Sequence, residues 1–158
     1  MKQYRVYLSG GMEYAIGEGA DWRNQLQGWL ETNLNHSVFN PNIESTLFFA
    51  SKYPGIDFRQ MKLDNIEQYR KIVCQLVDID CKEIAERSDY VICYWDESAA
   101  KGAGTKGELT MARYFKKPVY LVTSFPMHEI PGWVLGCTTS TFPSFQKLQS
   151  FLLTHFQQ

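Results

Sequence analysis

The segment SDYVICYWDESAAKGAGTKGELTMARYFKKPVYLVTSF, residues 88–125, decides the fold. It contains a β-branched and aromatic run at 90–95, a glycine-containing loop, a helical stretch at 106–117 and a second strand-like run at 119–125. A strand without alternating polar positions is typical of the middle of a parallel sheet, where both faces are buried. The segment therefore predicts a β–α–β unit whose first strand is central.

The alternation of strand and helix continues on both sides of this unit. Further strands are predicted at 6–8, 37–39 and 137–142, and further helices at 21–34, 59–87 and 144–156. The helix over 59–87 is expected to break near 77–80. The segment 42–58 carries Pro54-Gly55 and no clear period, so we expect a loop there that covers a site. These elements predict an α/β fold with a doubly wound, five-stranded parallel sheet, in a single domain spanning residues 1–158.

The composition excludes several classes of protein. With 44% hydrophobic and 21% charged residues the chain is globular, and 16 basic against 17 acidic side chains give no global field for a nucleic-acid polymer or a membrane. The N-terminus has too short an apolar run for a signal peptide, so we expect a cytoplasmic protein. The four cysteines show neither CxxC pairs nor metal spacing, so no metal, disulfide or cofactor is expected.

Two glycine-rich loops are predicted to lie together at one edge of the sheet. Ligands of doubly wound sheets bind at the carboxyl ends of the strands where the strand order reverses, which here means the loops after Leu8 and Trp95. Ser9-Gly10-Gly11 and Gly102-Ala103-Gly104-Thr105 can each bring backbone amides to a ligand, the second ahead of a helix N-terminus that favours an anion. A glycine cluster alone is more often a tight turn, so these motifs predict a site without naming its ligand.

Glu108 is the candidate nucleophile in the second loop and helix. It lies three residues after Thr105, a spacing that also matches a capping box, in which Thr105 would cap the helix and Glu108 would close back on the cap amide. The functional interpretation is favoured by position, because a carboxylate here points into the predicted crevice.

Other polar and aromatic residues are candidates for the same crevice. Glycosidic chemistry uses one carboxylate to attack the anomeric carbon and one protonated carboxyl to assist the leaving base, and Asp80 could be that acid. Tyr7 could orient the nucleophile, although a core aromatic is its default interpretation. Trp95 could stack on a base, and Asp89 is a candidate substrate contact that also reads as a helix-to-strand junction residue.

The chain resembles the nucleoside 2-deoxyribosyltransferases and the related 2'-deoxynucleoside 5'-monophosphate N-glycosidases. The resemblance rests on VYLSGGM at the start, on a DxxxI pattern that begins at Asp80 and leads to SDYVICYW, and on GAGTKGELTMARYFKKPVYLV, which is similar to the family's GTxxELxxA helix and KPV strand. It implies a flavodoxin-like (Rossmann-like) fold, Glu108 as a nucleophile that forms a glycosyl-enzyme intermediate, Asp80 as the acid and Tyr7 as the residue that orients Glu108.

The resemblance also implies a homodimer or higher homo-oligomer, because a neighbouring subunit completes the sites of this family. The chain departs from the family in two places. The family's acid usually stands eight residues before the strand-opening aspartate, whereas Asp80 stands nine before Asp89, which leaves Asp78 or a shifted helix as alternatives. Gly11 replaces a residue that is often proline or a phosphate-binding serine, which weakens the case for a 5'-phosphate.

The expected function is therefore cleavage or transfer at the N-glycosidic bond of a 2'-deoxynucleoside or its 5'-monophosphate. One alternative is a hydrolase of nucleoside monophosphates or of a nicotinamide dinucleotide. Another is a non-catalytic nucleotide-binding or sensor module, in which Glu108 is only a helix cap. A redox flavodoxin-like protein is disfavoured, because the loop after Leu8 lacks the serine- and threonine-rich cradle of a flavin phosphate.

Overall fold

The computed structural model describes residues 2–157, and its sheet has five parallel strands in the order β2-β1-β3-β4-β5. The strands are β1 (Arg5–Gly10), β2 (Ser37–Phe39), β3 (Tyr90–Tyr94), β4 (Val119–Val122) and β5 (Ser140–Phe142). This is the flavodoxin-like order, so the predicted fold class is confirmed. The order reverses between β1 and β3, and the loops that follow these two strands therefore lie side by side.

Helices cover both faces of the sheet because successive strand residues point to opposite sides. The α-helices are α1 (Ala20–Leu34), α2 (Pro41–Lys52), α3 (Phe58–Asp64), α4 (Ile66–Lys82), α5 (Glu97–Lys101), α6 (Gly104–Tyr114), α7 (Gly132–Cys137) and α8 (Phe145–Phe156). Val6 and Leu8 belong to a core layer shared with α1 and α8, whereas Tyr7 and Val91 belong to the opposite layer with α6 and α7. Within residues 2–157, no helix combines the length and apolarity that a bilayer span requires.

Three expectations about element boundaries are wrong. The segment 42–58 is not a loop, because α2 occupies Pro41–Lys52 with proline at its first turn and Asn40 capping the Asn42 amide. The helical region 59–87 breaks at Asn65, whose side chain caps α4, and not at 77–80. The last predicted strand is shorter, because α7 takes residues up to Cys137 and β5 begins at Ser140.

A π-helical turn, Glu83–Arg87, connects α4 to β3. Its wide ring is closed by the Ser88 amide, which donates to the Glu83 carbonyl at 2.8 Å. The buried Glu83 carboxylate fixes the turn, since it accepts a hydrogen bond from the Ser88 hydroxyl at 3.2 Å and pairs with Arg5 on β1. A π-turn holds one residue more than an α-turn, so it lengthens the connection between Asp80 and β3 without rotating the rest of α4.

Candidate active site

Glu108 is held by two hydroxyl groups of strand β1. Tyr7 and Ser9 are two residues apart, so their side chains point to the same face of the sheet, towards α6. The Tyr7 hydroxyl donates to Glu108 Oε2 at 2.6 Å, and the Ser9 hydroxyl donates to Glu108 Oε1 at 2.8 Å. Each carboxylate oxygen therefore has one fixed donor, and the head group is oriented before any ligand binds.

The capping-box interpretation of Glu108 is not supported by the hydrogen bonds. Helix α6 begins at Gly104 with Ala103 as its N-cap residue, and no side chain caps it. Thr105 is buried inside the first turn, two residues after the cap position. The Glu108 carboxylate accepts hydrogen bonds from strand β1, so it does not cap the first amides of α6.

Asp80, on the last turn of α4, lies in the same cleft as Glu108, whereas Asp78 is exposed to solvent and does not line it. Burial, followed by the charge of Glu108, raises the pKa of Asp80 from 3.8 to about 8. The Tyr7 hydroxyl and Arg23 act in the opposite direction on the same pKa. Asp80 is thus the carboxyl of the pair that holds a proton at neutral pH.

The environment of Glu108 differs from that of Asp80 in its hydrogen bonds. Burial raises the pKa of Glu108 too, but the hydroxyl donors Tyr7 and Ser9 and the charge of Arg23 lower it. Donors to a carboxylate stabilise its ionised form, so the first proton that the pair loses comes from Glu108. Burial and the two carboxylates raise the pKa of Tyr7, which keeps this hydroxyl a donor.

The two glycine loops form the floor of the cleft. Gly10, Gly11, Gly104 and Thr105 all line it. At Gly11 a side chain is excluded by contact, because a Cβ there would overlap the Ser98 side chain and lie 2.8 Å from the Ser98 carbonyl carbon. The close approach of these two loops is therefore possible only with glycine at position 11.

The cleft is open, with a volume of about 1450 Å³. One wall is apolar and comes from α2, the segment after it and α4; its side chains are Phe48, Phe49, Ile56, Phe58, Tyr69, Val73, Leu76 and Val77. Glu108, Asp80 and the glycine loops contribute polar groups to the same cleft. A flat apolar ring and a polar sugar would match this division of the surface.

The charged lining of the cleft is mainly acidic, with six carboxyl-bearing and two cationic side chains. Arg59 pairs with Glu18 through two hydrogen bonds of 2.9 and 2.6 Å, and Lys52 lies over the Phe48 ring. Nearby, Lys62 pairs with Glu13. The cations that a phosphate would need are thus engaged with the protein itself.

Three of the predicted substrate contacts are not placed as expected. The Ser9 side chain is buried in β1 and contacts Glu108, so it acts on the carboxylate and does not line the cleft. Trp95 is 1% exposed and packs in the core, so it cannot stack on a base. Asp89 lies at the amino end of β3, at the opposite edge of the sheet, where it accepts from the Arg5 amide and Lys2. Asp89 is thus a junction residue.

Arg23 is the site residue that the sequence reasoning missed. It is 1% exposed, and its guanidinium lies behind the loop that follows β1. A signal was present, because Arg23 shares one face of α1 with Leu26 and Leu30 at helical spacing, which places a charge on the buried stripe. The segment 42–58 does contribute to the cleft, as expected, but most of it is helix α2 and not a loop.

The fold and the cleft define a class: a flavodoxin-like α/β protein with two partly buried carboxyl groups in a cleft beside the point where strand order reverses. Within this class, a similar solved structure is a 2-deoxyribosyltransferase from the psychrotolerant bacterium Bacillus psychrosaccharolyticus, a biocatalyst for the synthesis of nucleosides. The TM-score is 0.66 at 16% identity, over 96% of this chain and 95% of the other. No family model and no curated protein matches the sequence. The fold is thus the one that the resemblance implied.

Proposed function

We propose that this protein is an enzyme that cleaves or transfers at the N-glycosidic bond of a 2'-deoxynucleoside or its 5'-monophosphate, with Glu108 as nucleophile. The observation that carries the proposal is the Glu108 carboxylate, held by the Tyr7 and Ser9 hydroxyls in one cleft with Asp80. A retaining glycosidase uses two carboxyl groups, one ionised as the nucleophile and one protonated as the acid.

The chemistry assigns each carboxyl one role in each half-reaction. A Glu108 oxygen attacks the anomeric carbon, the carbon–nitrogen bond breaks, and its electron pair leaves with the base, which takes the proton of Asp80. A second base or water then gives its proton to Asp80 and attacks the same carbon, which breaks the bond to Glu108. The sugar keeps its configuration and both carboxyls return to their starting states.

The charge of the cleft favours the uncharged nucleoside over the monophosphate. The lining is mainly acidic. Arg59, a cationic lining residue that could bind a phosphate, is neutralised by Glu18. A dianionic phosphate would have to break this pair or rely on loop amides alone. We therefore expect a higher kcat/KM for a deoxynucleoside than for its 5'-monophosphate.

The experiment is chromatographic and uses wild type, Glu108→Gln and Glu67→Gln. Glu67 is a matched control because its side chain is 76% exposed on α4, away from the cleft. We expect base release or exchange from a panel of deoxynucleosides and their 5'-monophosphates by wild type and Glu67→Gln, and none by Glu108→Gln. If wild type is inert on every substrate with and without a second base, the glycosidic proposal is wrong and a binding module becomes the better interpretation.

The same experiment separates transferase from hydrolase. Product that depends on an added free base indicates transfer, whereas base release in its absence indicates hydrolysis. A covalent intermediate is tested by intact mass, since wild type mixed with substrate without acceptor should gain one deoxyribosyl unit and Glu108→Gln should not. Absence of that adduct at all mixing times would argue against Glu108 as the nucleophile.

The proposal includes a homodimer or higher homo-oligomer, as the resemblance implies. The open side of the cleft has an exposed apolar rim, in which Leu47 is 59% and Val77 is 51% exposed. Burial of this rim by a second copy would also narrow the cleft around a substrate. Sedimentation velocity should give a mass above the 18.3 kDa of one chain, and Val77→Asp should lower it. A wild-type monomer at micromolar concentration would contradict this part of the proposal.

A further inference from the structure

The Arg23 side chain donates hydrogen bonds to the backbone on both sides of Ser9. Its Nε donates to the Leu8 carbonyl at 3.2 Å and its Nη2 to the Gly10 carbonyl at 2.9 Å. Its Nη1 donates to the Gly19 carbonyl at 3.1 Å and to Asn42 Oδ1 at 3.1 Å. One planar fork thus ties the end of β1 to the segment that opens α1 and to helix α2.

The partners of this buried guanidinium are neutral. Within residues 2–157, Arg23 has no carboxylate within salt-bridge distance, and its hydrogen bonds go to carbonyl and amide oxygens. Burial lowers the pKa of Arg23, while Glu108, Tyr7 and Asp80 favour its charged form across a longer distance. A buried charge is costly unless something opposite stabilises it. Among the groups that favour the charged form of Arg23, Glu108 has the largest effect, and Asp80 adds to it.

The charge of Arg23 has a direct consequence for that pair. One guanidinium balances one carboxylate, so the low-dielectric region is close to neutral when one carboxyl is ionised and the other is protonated. The hydroxyls of Tyr7 and Ser9 then decide which one is ionised, because both donate to Glu108. The resulting state is the one that attack by Glu108 and protonation by Asp80 require.

The fork of Arg23 has a separate, geometric consequence. Leu8 and Gly10 flank Ser9, so a shift of either carbonyl would move the Ser9 hydroxyl away from Glu108 Oε1. A displacement of about 1 Å in a catalytic group can cost on the order of 100-fold in rate. A lysine would keep the charge but has no planar fork to hold two carbonyls at once.

We propose that Arg23 is a positioning residue for the reaction assigned above. Its guanidinium fixes the end of β1 that orients Glu108. Its positive charge stabilises the state in which one carboxyl of the Glu108–Asp80 pair is ionised and the other is protonated. The inference rests on the proposed function for its kinetic consequences. Its electrostatic part concerns the free protein, so it can be tested without turnover.

The kinetic test compares Arg23→Lys and Arg23→Met with wild type and with Arg70→Met, whose side chain is 70% exposed. Arg23→Lys should lower kcat by about 10- to 100-fold at unchanged KM, with the pH optimum in place. Arg23→Met should lose at least as much and shift the pH–rate profile upwards by about one pH unit, because loss of the cation raises the pKa of both carboxyls. A purely structural role would not move the pH profile.

The second test is a carbon-13 NMR titration of the Glu108 and Asp80 carboxyls in the free protein. Wild type should show one ionised and one protonated carboxyl at neutral pH, and Arg23→Met should titrate at higher pH than wild type and Arg23→Lys. Two protonated carboxyls in wild type, or equal titrations in folded Arg23→Met, would overturn the charge role. Wild-type kcat in Arg23→Lys would overturn the fork role. Circular dichroism identifies a variant that does not fold. If Arg23→Met does not fold, the wild-type titration tests the charge role and the kcat of Arg23→Lys tests the fork role.

If wild type turns over no substrate but the titration of Arg23→Met shifts as expected, the proposed function fails while the electrostatic role of Arg23 stands. If wild type is active and neither variant differs from the Arg70→Met control in kcat or pH profile, the proposed function stands and Arg23 has no positioning role.

Discussion

Asp80→Asn should stabilise the folded protein and abolish base release. The pKa of Asp80 rises from 3.8 to about 8 on folding, chiefly through burial and then through the charge of Glu108. A carboxyl with a raised folded pKa contributes stability that is fully present below its unfolded pKa and is lost as the pH rises through its folded pKa. Asparagine is neutral at every pH, so the free energy of unfolding of the variant does not decrease with pH at this position.

The size of the effect follows from the interval between the two pKa values. One pKa unit corresponds to about 1.4 kcal/mol, so the interval from 3.8 to about 8 corresponds to roughly 5 kcal/mol at pH 8. The asparagine amide itself loses hydration in the cleft, which offsets about 1 to 3 kcal/mol. The net gain in the free energy of unfolding should be about 2 to 4 kcal/mol at pH 8, and should become a loss of roughly 0.5 to 2.5 kcal/mol at pH 4, where little of the pH-dependent term remains.

The assay is urea unfolding of wild type, Asp80→Asn and Asp78→Asn at both pH values. Asp78 is the matched control because it is exposed on the same helix, so its variant should follow wild type at both pH values. Equal m-values would show that the same surface is exposed on unfolding. The reasoning is refuted if Asp80→Asn is no more stable than wild type at pH 8, or if its advantage is the same at pH 4.

Three further variants test individual contacts. Tyr7→Phe removes one of the two donors to Glu108, so kcat should fall about 10- to 100-fold and the acid limb of the pH–rate profile should move to higher pH; an unmoved limb would contradict the role of the hydroxyl. Gly11→Ala should lower the free energy of unfolding by about 1 to 3 kcal/mol through overlap with Ser98, and the added change Ser98→Gly should recover part of it in thermal melts. Asp89→Asn should leave kcat/KM unchanged, because this residue lies at the far edge of the sheet, and a large kinetic defect would restore Asp89 as a substrate contact.

The fold could be predicted because its signals are local and repeated. The buried run Tyr90–Tyr94, the helix of Glu108 and the strand from Val119 each carry their own pattern of apolar residues, and the connection rules for parallel strands then leave few topologies. Helix α2 was missed because its boundary signal, Asn40 followed by proline, also reads as a turn. Such ambiguity is resolved by packing against the rest of the chain, which no local window contains.

The sequence predicted that Glu108 and Asp80 share one cleft, but it did not predict their contacts. The position of Glu108 follows from the sheet topology, because α6 begins soon after the carboxyl end of β3. Asp80 lies on a helix that leads to the amino end of β3, so its place in the cleft depends on packing. The role of Ser9 could not be read from a glycine loop motif, since β1 continues through Gly10 and turns the Ser9 hydroxyl towards α6. Trp95 was also misplaced, because it packs inside the core layer that contains Tyr7 and Leu109.

The choice between Asp80 and Asp78 shows how a backbone irregularity decides which carboxyl group lines the cleft. Each residue of an α-helix turns the side chain by about 100°, so one extra residue in a regular connection would rotate the acid out of the cleft. The π-turn at Glu83–Arg87 takes up that residue in a single wide ring, and the pairing of Glu83 with Arg5 anchors the ring to β1. Asp80 therefore faces Glu108 at a spacing of nine residues from Asp89, while Asp78, about 200° away on the helix, faces solvent. A spacing rule counts residues, but the orientation of a side chain depends on the hydrogen-bond ring in which each residue is placed.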